Sequence, residues 1–418
     1  MATTVRVDLR REFADAGSRA DPGPVYARLR DLGPVLRSKD ILGGGFLLPR
    51  YEEVSRVIKD PRFASDRRNV GLRSLDQWWT PGLLRLLISS MVLKDPPEHR
   101  RLRNLVQKAF TPARVEKLAG RVEEITDELL DAAAANPVID LMGDLALPLP
   151  LTVIAEMLGV PPADRVRFRT LFAAIQDNSE MTPASIVRNY PRMRRLTGFL
   201  QELVRLRREQ PGDDLVSALV HAEEAGDRLD EDELISMVFL LLFAGHETTV
   251  NLIGNGVLEL VRRPDQLQML RDDPDLIGTA IEEMLRFTNP VGFVAPRFAT
   301  EDVEIAGVPI PRGSMVTLLI ASANLDEAAF PDADTLDITR SPNRHVSFGL
   351  GTHFCLGAPL ARLEARIAIP ALLRRFGHLE LAVPADQLPW RRHIALRGVE
   401  HLPLVVTPAG ASAGRSTT

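Results

Sequence analysis

Among 418 residues there is one cysteine, Cys355. A single thiol excludes an internal disulfide and any zinc site built from several thiolates, and nothing in the chain asks for an oxidising compartment. An excess of basic charge is also missing. With 51 Lys and Arg against 56 Asp and Glu the formal charge is -5, so no global field draws in nucleic acid and any basic face must be local. Long apolar runs are lacking too: the most apolar stretch, Met237–Gly245, runs straight into His246, Glu247, Thr248 and Thr249 and is too short to span a bilayer. The N-terminal MATTVRVDLRREFADAG has no apolar stretch of signal-peptide length. The expectation is a soluble, cytoplasmic, monomeric protein with no membrane or nucleic-acid partner.

What is present is patterned. Gly33–Arg50 alternates short apolar runs around Gly43–Gly45, which suits a hairpin. From Tyr51 to Gln210 the period is mostly helical, broken at prolines such as Pro61, Pro96, Pro97, Pro112 and Pro161. The stretch Arg62–Pro97, with Trp78 and Trp79 near its middle, is mixed and suits a partly ordered lid. Asp230–Arg263 reads as one helix, with Asp230 as N-cap, Glu233 completing a capping box and Pro264 marking the far end. At about 1.5 Å per residue it would run roughly 50 Å, the width of a domain, so it must cross the core. Strand-like segments follow at Val303–Ile305, Val308–Ile310 and Met315–Ile320; Leu356–Arg375 is helical, and Ile394–Val406 is strand-like again. Without repeats or low-complexity linkers, this predicts one mainly α domain with small β-sheets over residues 1–408, and a disordered tail at 409–418.

The lone cysteine admits three readings. A buried structural thiol is the commonest fate of such a residue. A nucleophile is the second, with His353 two residues away as its base; this would make the chain a cysteine hydrolase, but no oxyanion-hole motif accompanies it. The third is a metal ligand. Cys355 stands where a loop hands over to Leu356–Arg375, so helix N–H groups and dipole favour a thiolate, and Gly349, Gly351 and Gly357 allow close approach of a flat partner. One thiolate leaves the other ligands to a porphyrin, and thiolate-held haem is the case that fits.

FGLGTHFCLG (348–357) resembles the cysteine-loop signature Phe-x-x-Gly-x-His/Arg-x-Cys-x-Gly of the cytochrome P450 family, with every fixed position present. The resemblance implies the P450 fold, its long central helix crossing over haem b (iron protoporphyrin IX) whose axial ligand is Cys355. AGHETT then matches the family's Ala/Gly-Gly-x-Asp/Glu-Thr pattern at Ala244, Gly245, Glu247 and Thr248. Ala244 and Thr248 are four apart on one helical face, so the threonine can bond back to the alanine carbonyl and locally open the helix. By resemblance Thr248 steadies dioxygen and Glu247 helps deliver protons. Glu283, Arg286 and Arg344 resemble the family's buried Glu-Arg-Arg cluster bracing the cysteine loop. His99, Arg103, Arg297 and His353 resemble its haem-propionate contacts, which two buried negative charges require.

The implied activity is haem-thiolate monooxygenation, hydroxylation or epoxidation of an apolar small molecule. No flavin or iron–sulfur segment is present, which resembles the soluble bacterial type that takes electrons from a separate ferredoxin and NAD(P)H-dependent reductase. Arg100, Arg101, Lys108, Arg362 and Arg366 would form a proximal basic patch for that acidic donor. A peroxide-driven peroxygenase and a non-catalytic haem sensor or carrier are the rivals, and the intact Glu247-Thr248 pair argues against both. Candidate pocket residues by resemblance are Trp79 in the lid 72–92, Leu241, Val291, Phe293 and Val294, and Ala395 and Leu396.

Overall fold

The structure is a computed structural model that describes residues 4–38, 44–72, 89–176, 183–224, 227–393 and 395–410. Helices dominate. Five of them position the site: α1 (Glu98–Ala109), α2 (Pro148–Met157), α3 (Glu231–Val261), α4 (Ile277–Thr288) and α5 (Ala358–Arg375). The capping box that starts α3 is formed in full: Asp230 Oδ1 accepts the Glu233 N–H at 2.7 Å, and Glu233 Oε2 accepts the Asp230 N–H at 3.0 Å. Two of the orphan donors at the helix start are thereby satisfied.

Buried residues fall on every face of α3, from Leu234 to Leu260, because α2, α4 and α5 all pack against it. Among the described residues it is the one helix long and apolar enough to cross a bilayer, yet 67% of that apolar window is buried inside the protein. A helix hydrophobic all round is a core helix when protein surrounds it.

The β-structure is small and peripheral. A six-stranded mixed sheet brings together Arg6–Val7, Leu36–Ser38, Gly45–Leu48, Met315–Leu318, Arg297–Ala299 and Phe63–Ala64, in that spatial order. The expected hairpin is its antiparallel pair Leu36–Ser38 with Gly45–Leu48; most of the turn lies outside the described residues. Val303–Ile305 and Val308–Ile310 pair as expected. The C-terminal expectation needs correction. Only Pro403–Pro408 is a strand, paired with Phe376–Leu381 and Val138–Asp140, whereas the segment before it forms isolated bridges, Leu396 to Val291 and Val399 to Trp390. Trp78, Trp79 and the proposed tail beyond residue 410 lie outside the described residues.

Candidate active site

Cys355 sits just before α5, whose N-cap is Gly357. Gly349 and Gly351, with φ of 69° and 70°, occupy the left-handed region that a side chain resists, and they fold the loop so that the Cys355 N–H donates to the Phe348 carbonyl at 2.9 Å. The thiol opens onto a cavity enclosed between this loop and α3, bordered by Ala244, Gly245, Thr248 and Leu241 on the α3 side. Burial pushes the thiol up, while the Gly357 and Ala358 N–H groups and the nearby Arg103 and Arg362 guanidiniums pull it back. A bound metal cation would add the one strong charge that reverses the balance and holds the sulfur as thiolate.

On the opposite wall Thr248 Oγ1 donates to the Ala244 carbonyl at 2.8 Å. The helix is not opened there, contrary to expectation: α3 runs without interruption, because a carbonyl has two lone pairs and can accept the hydroxyl beside the backbone N–H. Ala244 is exposed, although most of the helix around it is buried, since it faces the cavity. Glu247 is not on the cavity wall. It pairs with Arg391 at 2.9 Å, both side chains being largely buried. That partner, 144 residues away, was invisible to helical spacing.

At one end of the cavity His99, Arg103 and His353 converge, with Arg297 buried close behind them. The two imidazole rings lie 4.2 Å apart, and Ser65 Oγ meets His353 Nε2 at 3.1 Å. Burial, then the charges of Arg297, His99 and Arg103, hold His353 down at about 3. Burial and Arg103 also lower His99. Among the described residues neither Arg103 nor Arg297 has a carboxylate ion-pair partner; the Arg297 guanidinium donates to the Ala295 carbonyl at 3.0 Å. The Asp95 charge acts on Arg297 and His99 without forming a direct ion pair with either, so buried Arg297 and half-buried Arg103 stay only partly compensated and fit an anionic ligand.

The bracing cluster is real but its third member is different. Arg286 uses every donor it has: two bonds to Glu283 (2.8 and 2.7 Å) and bonds to the carbonyls of Asn324, Ala333 and Thr335. Arg340, at 3.2 Å, takes the place expected of Arg344, and Asn343 adds a bond at 3.0 Å. Arg344 is exposed, with its carbonyl accepting from the Tyr51 hydroxyl. The segment is irregular, so spacing from the cysteine could not say which arginine turns inward.

The basic patch is likewise altered. Arg101 bonds Glu233, Arg362 forks onto Glu282 at 2.6 and 2.7 Å, and Arg366 faces Glu116 at 3.6 Å; Arg100 and Lys108 are exposed. Carboxylates from neighbouring elements weaken a field that the basic residues alone suggested. Of the candidate pocket residues, Leu241 borders the cavity. Val291 bridges Leu396, and the Gly292 N–H donates to the Ala395 carbonyl at 2.7 Å, so these segments meet. Phe293 and Val294 pack against two hydrophobic clusters around the sheet, and none of these five residues is on this cavity's wall.

The family model described as Cytochrome P450 matches residues 50–396. The chain belongs to the cytochrome P450 family. This P450 is 46% identical over 387 residues to Cytochrome P450 107B1 of Saccharopolyspora erythraea, covering 91% of this chain and 93% of that one. It is 40% identical to 6-deoxyerythronolide B hydroxylase of the same organism, over 91% and 94% of the two chains. The solved structure of Bacillus subtilis PksS, from the bacillaene polyketide synthase, superimposes with a TM-score of 0.86 at 41% identity, covering 94% and 98%. This P450 is therefore a monooxygenase, an oxidoreductase of the haem-thiolate class. The residues present fit the haem that the family implies: an apolar slot, one thiol facing it, and a basic end at which no carboxylate is among the described lining residues.

Proposed function

We propose that this P450 inserts one oxygen atom of O2 into an uncharged, polyketide-type small molecule, by hydroxylation or epoxidation, with electrons passed from NAD(P)H through a separate reductase and ferredoxin. One observation carries the reading. Cys355, Thr248 and the His99, Arg103 and His353 group, far apart in the chain, border one cavity. In this reading Cys355 would hold the haem iron, and His99, Arg103, Arg297 and His353 would hold the haem propionates. When bound, the haem supplies the oxygen-activating chemistry, its thiolate ligand pushing electron density toward the iron. Thr248 then presents its hydroxyl to oxygen at the Ala244–Thr248 turn, and Glu247 supplies protons from behind it. Glu283, Arg286 and Arg340 hold the loop beneath.

The substrate class rests on two supports. Away from the cationic end, the polar side chains that the described residues place on the cavity wall are the hydroxyls of Thr248 and Thr249 and the thiol, and none of these described residues is charged to pair with an ionised substrate. The relatives include a 6-deoxyerythronolide B hydroxylase and a P450 of a polyketide synthase.

The test is spectral titration of the haem-loaded protein with a macrolactone, a fatty acid and a terpenoid, followed by turnover with ferredoxin and reductase. The macrolactone is expected to give the largest shift of the haem band and an oxygenated product. Tighter binding of the fatty acid would overturn the substrate class. Faster turnover with peroxide than with the redox partners would move the chemistry to a peroxygenase, and spectral shifts without any product would indicate a carrier. Cys355→Ser should fold yet lose the thiolate-type carbon monoxide band; an unchanged spectrum removes the axial-ligand assignment.

A further inference from the structure

Two carboxylates stand side by side on α4 and turn to different partners. Glu283 holds the bracing arginines, whereas Glu282 turns to the cysteine loop and the second turn of α5. Glu282 Oε1 accepts the Arg362 Nε–H at 2.6 Å, and Oε2 accepts a second guanidinium nitrogen at 2.7 Å. His345 Nε2 donates to the same Oε2 at 2.9 Å; its Nδ1 accepts the Ser347 N–H at 3.2 Å, which puts the ring proton on Nε2. A forked guanidinium–carboxylate pair is fixed in orientation as well as distance. Burial opposes ionisation of Glu282, but Arg362 and His345 override it, so the carboxylate is charged at neutral pH.

The guanidinium held in this way lies 4.5 Å over the Phe348 ring. Phe348 borders the cavity, and its carbonyl accepts the Cys355 N–H. Arg362 thus stands behind one aromatic ring of the thiol's own loop, and its charge acts on Cys355. Glu282 sets an opposite charge against that guanidinium at hydrogen-bond distance, with side chains 29% and 35% exposed, so water screens the pair only in part.

We propose that Glu282 is a positioning residue for electron uptake: by neutralising Arg362 behind Phe348, it holds down the reduction potential of a haem bound at Cys355. The step concerned moves one electron from reduced ferredoxin, which is oxidised by one electron, to the site, which becomes more negative by one charge. No bond or proton changes hands. An uncompensated cation beside the site favours the reduced state, and a carboxylate paired with that cation cancels the help. The proposal rests on the reading that Cys355 holds the haem iron.

The test is a spectroelectrochemical titration of haem-loaded protein near pH 7, without ferredoxin, on the wild type, Glu282→Gln, Arg362→Gln and the double variant. Glu282→Gln leaves Arg362 uncompensated and should raise the potential, increasing the ratio of reduced to oxidised haem about threefold or more at a fixed applied potential. Arg362→Gln leaves the carboxylate alone and should lower the ratio by a similar factor. The double variant should return to within about twofold of wild type, because one neutral pair replaces another. A loop merely loosened would shift both single variants the same way without rescue; that result, or an unchanged potential in Glu282→Gln, overturns the proposal. Glu116→Gln, which releases exposed Arg366 one turn further along α5, should leave the potential alone. An equal rise there would assign the effect to overall surface charge and overturn the role of Glu282. Should Glu282→Gln not load haem, Arg362→Gln is compared with Arg362→Lys: the glutamine should lower the potential and the lysine, which keeps the charge, should not; equal potentials overturn the proposal. The carbon monoxide band separates the two layers. If Cys355→Ser keeps the wild-type band, the ligand reading fails and this inference with it; if that band is lost but the potentials of the four proteins coincide, this inference alone fails.

Discussion

Glu364 lies on α5, nine residues beyond Cys355, with 1% of its surface exposed and Oε2 without a partner. Burial alone pushes its carboxyl from an ordinary 4.5 up to about 8, so the folded protein holds it neutral at pH 7. The unfolded chain ionises it above about 4.5. Folded protein therefore binds the extra proton, and stability falls as pH rises from about 4.5 to about 8, then levels off. At about 1.4 kcal/mol per pH unit, the loss is about 0.8 kcal/mol at pH 5 and about 3.3 kcal/mol at pH 7. Glu364→Gln cannot ionise, so it escapes this slope. Its unpartnered amide adds an offset that does not depend on pH. Unfolding entropy of about 2.1 cal/mol/K per residue makes 1 kcal/mol worth about 1 °C in a chain of this length. The difference in Tm, variant minus wild type, should thus grow by about 3 °C between pH 5 and pH 7, measured by circular dichroism on haem-loaded protein. A difference that stays flat across this range would refute a neutral buried carboxyl. The neutral state also has a chemical consequence, since it places no second fixed anion on the helix that begins at the thiolate.

The bracing cluster separates its two candidate arginines. Arg286→Leu strips buried Glu283 of its two shortest charged bonds, leaving it Arg340 and Asn343, a loss of about 3–5 kcal/mol, and should abolish haem-loaded protein in the soluble fraction. Arg340→Ala should lower Tm, whereas Arg344→Ala, being exposed, should stay within about 0.5 kcal/mol of wild type; the reverse order would restore Arg344 to the cluster. Burial works against ionisation of Glu282, but Arg362 and His345 override it and hold that carboxyl at about 2. This contribution is full above about 4.5 and is lost as pH falls toward 2, so Glu282→Gln should flatten the acid limb of stability measured by the same thermal scans. Thr248→Ala should keep haem and substrate binding while diverting reduced oxygen to peroxide, read as the ratio of product to NAD(P)H consumed; normal coupling would remove its role.

The sequence by itself determined what is local. The cysteine loop is defined by glycines and a helix start within ten residues, the capping box by a spacing of three, and the Thr248–Ala244 bond by a spacing of four. Each follows from backbone geometry that a short window contains, and each is seen in the structure. Only the tertiary structure decided which distant partner answers each polar group. Arg391 reaches Glu247 across 144 residues, Arg340 displaces Arg344 within an irregular segment, and acidic residues of other elements engage Arg101, Arg362 and Arg366. Helical periodicity fixes a face but not what that face meets. The two carboxylates of α4 show the same division: that Glu282 and Glu283 are neighbours is legible, but that one turns to Arg362 and the other to Arg286 and Arg340 follows from how the chain closes on itself.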